Sequence, residues 1–309
     1  MSGAHVYDMI VVGGGPGGYT AALYAARAGL DTLVLEKLSA GGQMALTDVI
    51  DNYPGYEEGI DGFTLGEKMQ QQAQRFGAKT EYAQVERADL TASPKVLHTS
   101  EGDFYARTVA LATGADPRQL GLEHEAALTG RGVAYCAACD GMRYKGKTVV
   151  VVGGGNSAAE DALLLSRIAE KVILVHRRDT LRATKVYHQP LMQAKNVEFR
   201  WNSTVAELLH DDKLTGVKLR DVNTGEETVL PCDGVFISVG RKPATQLAEG
   251  QLALDAGGYI VADETTRTSV PGVYAVGDVR TKLLRQVVTA VADGAMAVHM
   301  AEEYLASGI

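Results

Sequence analysis

Two cysteines separated by two residues, Cys136 and Cys139, are followed directly by Asp140 and form the group with the clearest chemistry in the sequence. On one short turn such a pair lies within reach of a disulfide and can alternate between dithiol and disulfide. The carboxyl group of Asp140 is placed to carry a proton during thiol–disulfide exchange. Half of a zinc site, or two inert core cysteines, would show the same spacing. A closed zinc site needs four ligands, however, and Cys232 is the only other cysteine.

The overall composition excludes some classes of protein. The 309 residues carry 38 acidic and 30 basic side chains, and the net charge of −8 argues against a general nucleic-acid binder. The first apolar run, Met9 to Val12, is too short for a signal peptide or a membrane span. Three cysteines point to a reducing compartment, where a close pair is more often catalytic than structural. We therefore expect a cytoplasmic protein that binds neither a membrane nor nucleic acid.

A glycine-rich turn near the start of the chain predicts a dinucleotide site. The apolar run is typical of a buried strand, and it leads into the pattern G-x-G-x-x-G at residues 13–18. A helix is predicted over residues 19–28 and a second strand over residues 32–35, which ends in Glu36. Glycines at such a turn let a pyrophosphate approach the helix N-terminus, and the acid can bind a ribose diol. In this context the motif indicates dinucleotide binding rather than a plain tight turn.

The same motif returns later in the chain as an internal repeat. Gly153 lies 140 residues after Gly13 and begins G-x-G-x-x-A, which follows another apolar run at residues 149–152. A helix is predicted over residues 159–166 and a strand over residues 171–175. The repeat predicts a second dinucleotide-binding unit.

The second unit lacks the acid of the first. The offset that relates the two motifs leads from Glu36 to His176, which is followed by Arg177, Arg178 and, one helical turn later, Arg182. Cations at this position suit the 2′-phosphate of NADPH, which a carboxylate would repel. A solvated basic patch would have the same composition. We interpret the cluster as the determinant that selects NADPH over NADH.

With these motifs located, the chain resembles the low-molecular-weight, bacterial-type thioredoxin reductases over its full length. The resemblance depends on G-G-G-P-G-G-Y-T-A-A, G-G-Q, A-T-G-A, C-A-A-C-D-G, G-G-G-N-S-A, H-R-R-x-x-x-R, G-D-V and R-Q, in this order. It implies an α/β fold of two Rossmann-like dinucleotide-binding domains, the second inserted into the first. The domains expected are an FAD domain from residues 1–115 and 244–309 and an NADPH domain from residues 116–243, which carries the cysteines. Two linkers read from the sequence, near Asp116 and near Lys242, agree with this division.

The resemblance also implies roles for individual residues. Cys139 would be the thiol on the flavin side, Cys136 the thiol that attacks the disulfide of thioredoxin, and Asp140 the acid–base group. Electrons would pass from NADPH to FAD, then to the Cys136–Cys139 disulfide and then to thioredoxin. Family members reach both steps by rotating the inserted domain, with the linkers as hinges.

Two sets of residues would hold the cofactors. The FAD contacts expected are Gly13, Gly15, Pro16, Gly18, Glu36, Gly42, Gln43, Asn52, Val85, Thr113, Gly114, Gly277, Asp278, Arg285, Gln286 and Val287. The NADPH contacts expected are Gly153, Gly155, Asn156, Ser157, His176, Arg177, Arg178 and Arg182. No metal site is predicted, because the seven histidines show no ligand spacing. Family members are usually homodimers, and we expect the same here.

Other activities remain open on the same fold. A ferredoxin-fed reductase would have no use for a 2′-phosphate site, so the basic cluster argues against it. An oxidase that closes a small-molecule dithiol is harder to distinguish by residues. A flavin-bound redox sensor, which exposes a partner surface when its disulfide is reduced, is the third alternative. The family more often has threonine where this chain has Ala138, which removes a hydroxyl beside the thiols but no essential group.

Overall fold

A computed structural model describes residues 5–47 and 49–308 and shows a chain that divides into two compact units. The first unit contains the residues up to Asp116 and those from Lys242 onward. The second unit runs from Pro117 to Arg241. The divisions differ from the boundaries predicted after residues 115 and 243 by one and two residues. Which cofactor each unit binds stays a prediction at this point.

The elements follow a repeated strand–helix–strand order. Up to the second glycine motif they are β1 (Val6–Val12), α1 (Pro16–Arg27), β2 (Thr32–Glu36), α2 (Gly62–Arg75), β3 (Lys79–Tyr82), β4 (Val85–Asp89), β5 (Lys95–Thr99), β6 (Gly102–Leu111), β7 (Ala115–Pro117), β8 (Val133–Ala134), α3 (Ala137–Asp140) and β9 (Thr148–Val152). After it they are α4 (Asn156–Ser166), β10 (Lys171–Val175), α5 (His188–Gln193), β11 (Val197–Arg200), β12 (Ser203–His210), β13 (Leu214–Asp221), β14 (Glu227–Pro231), β15 (Gly234–Ile237), β16 (Arg241–Pro243), β17 (Val273–Ala275) and α6 (Val287–Ala306). Short 3-10 helices lie at Gly42–Leu46, Gly141–Tyr144, Lys185–Tyr187 and Gly277–Val279.

The sheet of the first unit has the strand order β3-β2-β1-β6-β5-β4, with β17 paired to β6. Its centre is parallel, since β1 pairs in parallel with both β2 and β6. All five residues of β2 are buried, as expected for a parallel strand covered on both faces. On one face α1 packs against α6, and the alanine-rich contact surfaces allow the two helices to approach closely. This arrangement brings the carboxyl ends of β1, β2, β6 and β17 to one edge of the sheet.

The sheet of the second unit repeats this plan with the order β11-β10-β9-β15-β8. Its strand pairs are parallel, and β9 lies between β10 and β15. A separate antiparallel sheet, β12-β13-β14, belongs to the same unit. Each sheet has a parallel centre and a helix after the strand that leads into its glycine turn, which confirms the predicted Rossmann-like fold. The internal repeat is the sequence signature of this fold.

Several predicted boundaries shift in the structure. Helix α1 begins at Pro16 rather than Tyr19, because proline is well suited to the first turn, where no N–H is needed. Helix α4 likewise begins at Asn156 rather than Ala159. Beyond β3, which is parallel to β2, the strands β4, β5 and β6 pair antiparallel. None of the helices within the described residues is long and apolar enough to cross a membrane.

Candidate active site and cofactor sites

The cysteine pair lies at the start of helix α3 in the second unit. Cys136 is the N-cap residue of this four-residue helix, and Cys139 lies within it. Their sulfur atoms form a disulfide, with the Cα atoms 5.3 Å apart, a usual separation for such a bond. Both cysteines are partly exposed and Ala138 between them is exposed. The pair is therefore not buried in the core. Among the described residues the structure has no group of three or more His, Cys, Asp or Glu side chains that could hold a metal ion.

The strand before the disulfide is anchored by a buried carboxylate that the sequence analysis missed. Glu125 is only 3% exposed, and its oxygens accept hydrogen bonds from the backbone N–H groups of residues 120, 121 and 122. The hydroxyl of Tyr135 donates to the same carboxylate at 2.8 Å. Burial, followed by the hydrogen bond to Glu125, raises the pKa of Tyr135, so this hydroxyl remains a donor at neutral pH. Because Tyr135 precedes Cys136, the anchor limits the positions that the disulfide can take.

The first glycine turn has the close backbone packing that its motif predicts. Gly13 has φ +105°, and a Cβ there would lie 2.5 Å from the carbonyl oxygen of Ala112. A Cβ on Gly18 would lie 1.9 Å from the oxygen of Gly13. A Cβ on Gly15, in contrast, would meet no atom within 4 Å. The turn is therefore closed where helix and strand meet and open at Gly15, where a phosphate needs access to the backbone.

Glu36 lies beside this turn at the end of β2. It is 9% exposed, and its carboxylate accepts from the N–H of Gly14 at 2.6 Å and from the N–H of Leu38 at 3.0 Å. One bond reaches each oxygen, so each retains a lone pair for a further donor. The predicted contact with a ribose diol fits this geometry, and the bond to Gly14 gives Glu36 a second role in fixing the turn.

The second glycine turn reproduces the first, with one informative difference. A Cβ on Gly153 would lie 2.4 Å from the oxygen of Ser238, whereas a Cβ on Gly155 would meet no atom within 4 Å. Ala158 occupies the position equivalent to Gly18, and its Cβ fits in the second turn. Gly154 is constrained by a contact that the motif does not encode, because a Cβ there would lie 2.2 Å from the ring of His176.

His176 lies under this turn, while the arginines that follow it are exposed. His176 is 4% exposed, and within the described part of the chain its Nε2 has no hydrogen-bond partner. Burial, followed by the charges of the three nearby arginines, lowers the pKa of His176. It is therefore neutral at pH 7, and the positive charge predicted here is supplied by Arg177, Arg178 and Arg182. The backbone N–H of Arg182 bonds to the oxygen of Gly154 at 2.7 Å, which ties the arginine-bearing loop to the glycine turn.

Asn156, also expected to contact NADPH, accepts two hydrogen bonds from another residue of the protein through its side-chain oxygen. Its Oδ1 accepts from the backbone N–H of Thr184 at 2.8 Å and from the hydroxyl of Thr184 at 3.1 Å. Ser157 follows it in the first turn of α4 and is exposed. The bonds from Arg182 to Gly154 and from Thr184 to Asn156 thus join the arginine-bearing loop to the start of α4.

Five residues expected to contact FAD make contacts with other residues of the first unit. Gln286 is the N-cap of this helix, and its side-chain oxygen accepts from the amide of Asn52 at 3.0 Å, so two predicted FAD residues 234 positions apart are in contact. The Nε2 of Gln43 donates to Asp116 at 2.7 Å, and the hydroxyl of Thr113 donates to the oxygen of Ala244 at 2.7 Å. The guanidinium group of Arg285 lies 4.1 Å from the ring centre of Tyr259.

The other predicted FAD residues lie in five places in the first unit. Gly42 begins a 3-10 helix, and a Cβ added to Gly42 would lie 3.4 Å from the Cα of Gly15. Val85 is the first residue of β4. Gly114 follows β6 and has φ +75°. Gly277 and Asp278 form a 3-10 turn after β17, and Val287 is the first residue of α6.

A buried ionic cluster joins this 3-10 turn to α6, and no motif revealed it. Asp293 accepts hydrogen bonds from the N–H of Gly277, from Nε and Nη2 of Arg280 and from Nζ of Lys282, at 2.7–2.9 Å. The three charged side chains are 7–9% exposed. Burial by itself raises the pKa of Asp293, but the bonds from Arg280 and Lys282 outweigh it and lower that pKa below its usual value.

The third cysteine differs from the pair. Cys232 is a free thiol, 6% exposed, and packs in the core of the second unit. Burial, with a smaller effect of Asp233, raises its pKa to about 12. A buried thiol that stays protonated is a poor nucleophile, as expected for a residue outside the redox chemistry.

Comparisons with known protein families, sequences and structures all identify the same family. The profile of the family described as pyridine nucleotide-disulphide oxidoreductase matches residues 7–294. The thioredoxin reductase of Treponema pallidum (strain Nichols) is 45% identical over 299 residues, which are 97% of each protein. The thioredoxin reductase of Streptomyces clavuligerus is 47% identical over 305 residues, 98% of this chain and 95% of the relative. The crystal structure of thioredoxin reductase from Streptococcus pyogenes MGAS5005 matches with a TM-score of 0.91 and 42% identity, covering 99% of this chain and 100% of the other.

The long matches confirm the resemblance that the sequence motifs indicated. They extend across both glycine turns, the disulfide and the start of α6. The chain therefore belongs to the pyridine nucleotide-disulphide oxidoreductase family and, within it, is an oxidoreductase of the thioredoxin reductase group.

Proposed function

We propose that this protein reduces the disulfide of a thioredoxin at the expense of NADPH, with FAD as its bound cofactor and Cys136–Cys139 as its redox pair. The observation that carries the proposal is the partly exposed disulfide in a chain that also has two open glycine turns. Close relatives along the full length are named thioredoxin reductases, which supports the same activity.

FAD is assigned to the first unit. The N–H groups at the start of α1 would receive its pyrophosphate beside Gly15, where a side chain is absent and space is open. Glu36 has free lone pairs for the ribose hydroxyls. The Asn52–Gln286 pair and Asp278 would bind the remaining part of the cofactor. Gly15, Glu36 and Asp278 lie at or just after the carboxyl ends of β1, β2 and β17, which meet at the same edge of the sheet.

NADPH is assigned to the second unit by the same geometry and by charge. Gly155 leaves the helix start of α4 open, as Gly15 does for α1. Three exposed arginines near the end of β10 replace the acid found after β2. A guanidinium group binds a phosphate with paired, charge-assisted hydrogen bonds, so the cluster would favour the 2′-phosphate over a free ribose. His176 would act by shaping the turn under Gly154 instead of by charge.

The thiol chemistry belongs to the chain itself. When bound, FAD would supply the means to take a hydride from NADPH and return two electrons to the disulfide. As a dithiol, the pair would act in sequence: the Cys136 thiolate attacks the disulfide of thioredoxin and displaces one of its sulfurs as a thiolate. Cys139 then attacks Cys136, which reforms the intramolecular disulfide and releases the second thioredoxin sulfur. Asp140 would supply and accept the protons of these steps.

The decisive experiment follows the absorbance of the purified protein without oxygen. NADPH is added to one sample and NADH to another, and an oxidised thioredoxin is added afterwards. The expected result is rapid loss of the flavin band with NADPH, little loss with NADH, and recovery with thioredoxin. Cys139→Ser is expected to retain FAD and lose thioredoxin reduction, and retained turnover in this variant would refute the cysteine assignment.

The same experiment separates the alternatives. Absence of bleaching by either nucleotide would refute NADPH dependence and favour a ferredoxin-fed reductase or a small-molecule dithiol oxidase. Bleaching by NADPH without recovery by any thioredoxin would refute the proposed substrate and favour a flavin-bound sensor. The basic cluster favours NADPH dependence over a ferredoxin-fed reductase.

Two further assignments belong to the same proposal. We infer a homodimer, which light scattering on the purified protein would measure as twice the mass of 32.8 kDa. A monomeric mass would refute it. We also infer a cytoplasmic location, because a redox pair that must cycle between dithiol and disulfide requires a reducing compartment. Recovery of the protein only in an exported fraction would contradict that location.

A further inference from the structure

The middle glycine of each glycine turn lies above a space that the two units fill differently. A Cβ added to Gly14 would lie 2.9 Å from the ring of Tyr19 and 3.0 Å from Oε2 of Glu36. For Gly154 the nearest atoms of the surrounding structure all belong to the ring of His176, at 2.2–2.4 Å from such a Cβ. One ring therefore lies beneath each turn, but it comes from helix α1 in the first unit and from the residue after β10 in the second.

The two glycine turns match residue by residue, which locates this exchange. The N–H of Tyr19 donates to the oxygen of Gly15 at 2.9 Å. In the second unit the N–H of Ala159 donates to the oxygen of Gly155 at 3.1 Å, and the offset between the two motifs relates both pairs. Ala159 therefore holds in α4 the position that Tyr19 holds in α1. Both residues are buried, with Ala159 0% and Tyr19 1% exposed.

The strand ends of the two units match as well. The first glycine of each turn donates its N–H to the carbonyl of the residue that precedes Glu36 or His176, at 2.9 and 3.0 Å. In the first unit a large helix residue, Tyr19, accompanies a narrow side chain, Glu36, at the strand end. In the second unit a small helix residue, Ala159, accompanies a ring, His176. Protein interiors are close-packed, so each pair fills its space with a single ring.

In the first unit the ring of Tyr19 leaves only the side of the turn to the strand-end residue. Glu36 lies there and accepts a hydrogen bond from the N–H of Gly14 at 2.6 Å. Its carboxylate is thus held beside the glycine backbone, where the proposed function places a ribose with free hydroxyls. An anionic 2′-phosphate would be repelled at this position.

In the second unit the ring of His176 lies beneath Gly154 and is 4% exposed. The N–H groups of Arg182 and Ala183 donate to the oxygen of Gly154 at 2.7 and 3.0 Å. The loop between His176 and Ala183 is therefore fixed to the same turn at both ends, and its arginines are exposed. If the His176 ring were excluded from this space, the first end of the loop would move, and the guanidinium groups would move with it.

We propose that Ala159 is a specificity-determining residue of the second unit. Because its side chain is small, His176 can lie beneath the turn and hold the exposed arginines where they bind a 2′-phosphate. The proposal rests on the proposed function, which assigns NADPH to this unit. Since Ala159 is fully buried, it acts through His176 and is a positioning residue. The helix residue after each glycine motif thus contributes to the choice of nucleotide together with the residue at the strand end.

The test measures binding of adenosine 2′,5′-bisphosphate and of adenosine 5′-monophosphate by calorimetry, with FAD present in excess so that the first unit is occupied. The dissociation constant of the monophosphate divided by that of the bisphosphate reports selection of the 2′-phosphate and needs no turnover. In Ala159→Tyr the added ring competes with His176 for one space. We expect the ratio to fall at least about tenfold, the equivalent of one lost charge-assisted contact.

A double-mutant cycle tests whether the two residues share this space. Ala159→Tyr should destabilise the second unit by overpacking, and His176→Glu should do so by removing a buried ring. Together they rebuild the arrangement of Tyr19 and Glu36. The unfolding equilibrium constant of the double variant should be at least about threefold lower than independent effects would give. Urea unfolding is followed by the fluorescence of Trp201, the only tryptophan of the chain, which lies in the second unit.

Two arrangements keep the test decisive. If Ala159→Tyr does not fold, as judged by circular dichroism, recovery of folded protein in the double variant supports the shared space, and an unfolded double variant overturns it. Leu165→Ala is the control for loss of stability, since Leu165 is fully buried at the other end of α4. It should lower stability by opening a cavity but change the ratio by less than about twofold.

The outcomes separate this proposal from the proposed function. A folded Ala159→Tyr protein with the natural ratio would overturn the role of Ala159, and so would additive effects in the cycle. An equal fall of the ratio in Leu165→Ala would also overturn it, because any loss of stability in α4 would then explain the result. A natural chain with a ratio near one would refute the assignment of NADPH, and with it selection through Ala159, before any variant is made.

Discussion

Replacing Asp293 with asparagine should destabilise the first unit strongly. The substitution preserves the size of the side chain but removes the only acid in the buried cluster of Asp293, Arg280 and Lys282. Two buried cations would then lose their counterion. Breaking a buried ion pair costs about 3–5 kcal/mol, a large part of the roughly 5–15 kcal/mol by which a typical domain is stable.

The structure also predicts where the effect will be found. Asp293 bonds to the N–H of Gly277, so the turn at Gly277–Val279 and the start of α6 should loosen together. Hydrogen exchange followed by mass spectrometry should show faster exchange in these peptides and no change in peptides of β9 or β10. Because Asp278 lies in this turn and Gln286 caps α6, retention of FAD on dilution should fall as well.

The pH dependence follows from the direction of the pKa shift. The pKa of Asp293 is lower in the folded protein than in the unfolded chain. Its contribution to stability is therefore complete above the unfolded pKa of about 3.9 and is lost as the pH falls through the lower, folded value. The difference in urea stability between the natural chain and Asp293→Asn should be constant near neutral pH and shrink only below about pH 4.

The matched control is Glu303→Gln, on the same helix. Glu303 pairs with Arg267 at 2.9 Å, but both side chains are more than half exposed. An exposed pair contributes about 0–1 kcal/mol. If Asp293→Asn lowers the free energy of unfolding by no more than Glu303→Gln does, the reasoning about the buried cluster is wrong.

Three further predictions concern the sites. Cys232→Ser should leave NADPH-dependent thioredoxin reduction intact, since the thiol is buried and its pKa is raised; an inactive but folded variant would contradict this. Changing Arg177 and Arg178 to alanine should raise the dissociation constant for NADPH far more than that for NADH, because each charge-assisted contact contributes about 1.5–3 kcal/mol; equal losses would show that the arginines do not bind the phosphate. Gly18→Ala should release FAD on gel filtration, because its Cβ would meet the oxygen of Gly13 at 1.9 Å, whereas the reverse change Ala158→Gly in the second turn should retain NADPH binding; an FAD-loaded Gly18→Ala protein would refute the packing argument.

Short-range patterns were sufficient for much of the fold and of the candidate site. Each glycine turn is a short run of neighbouring residues, and so is the cysteine pair. The loss of the acid at His176 follows from the one fixed offset between the two turns. They can be read from the chain because backbone geometry at such turns admits few residues: Gly13, for example, has a positive φ and no room for a Cβ.

The repeat predicted the second dinucleotide-binding unit and agrees with the parallel strand pairs of both units, since a strand, a glycine turn, a helix and a strand can pack together in very few ways. The exact start of α1 at Pro16 was missed because the turn residues already belong to the helix. His176 shows the limit of the pattern: its position in the repeat was predictable, but its burial beneath Gly154 was not.

The contacts that hold the sites together were decided by the tertiary structure. Ser238 donates to Asp161 across 77 positions, Gly277 donates to Asp293 across 16, and Asn52 donates to Gln286 across 234. Each of these pairs depends on strand order or on the packing of one helix against another element. An aspartate on an amphipathic helix has the same sequence signature whether it faces water or a neighbouring backbone N–H. Only the fold distinguishes them, because burial and hydrogen-bond partners are properties of three-dimensional packing and not of spacing along the chain.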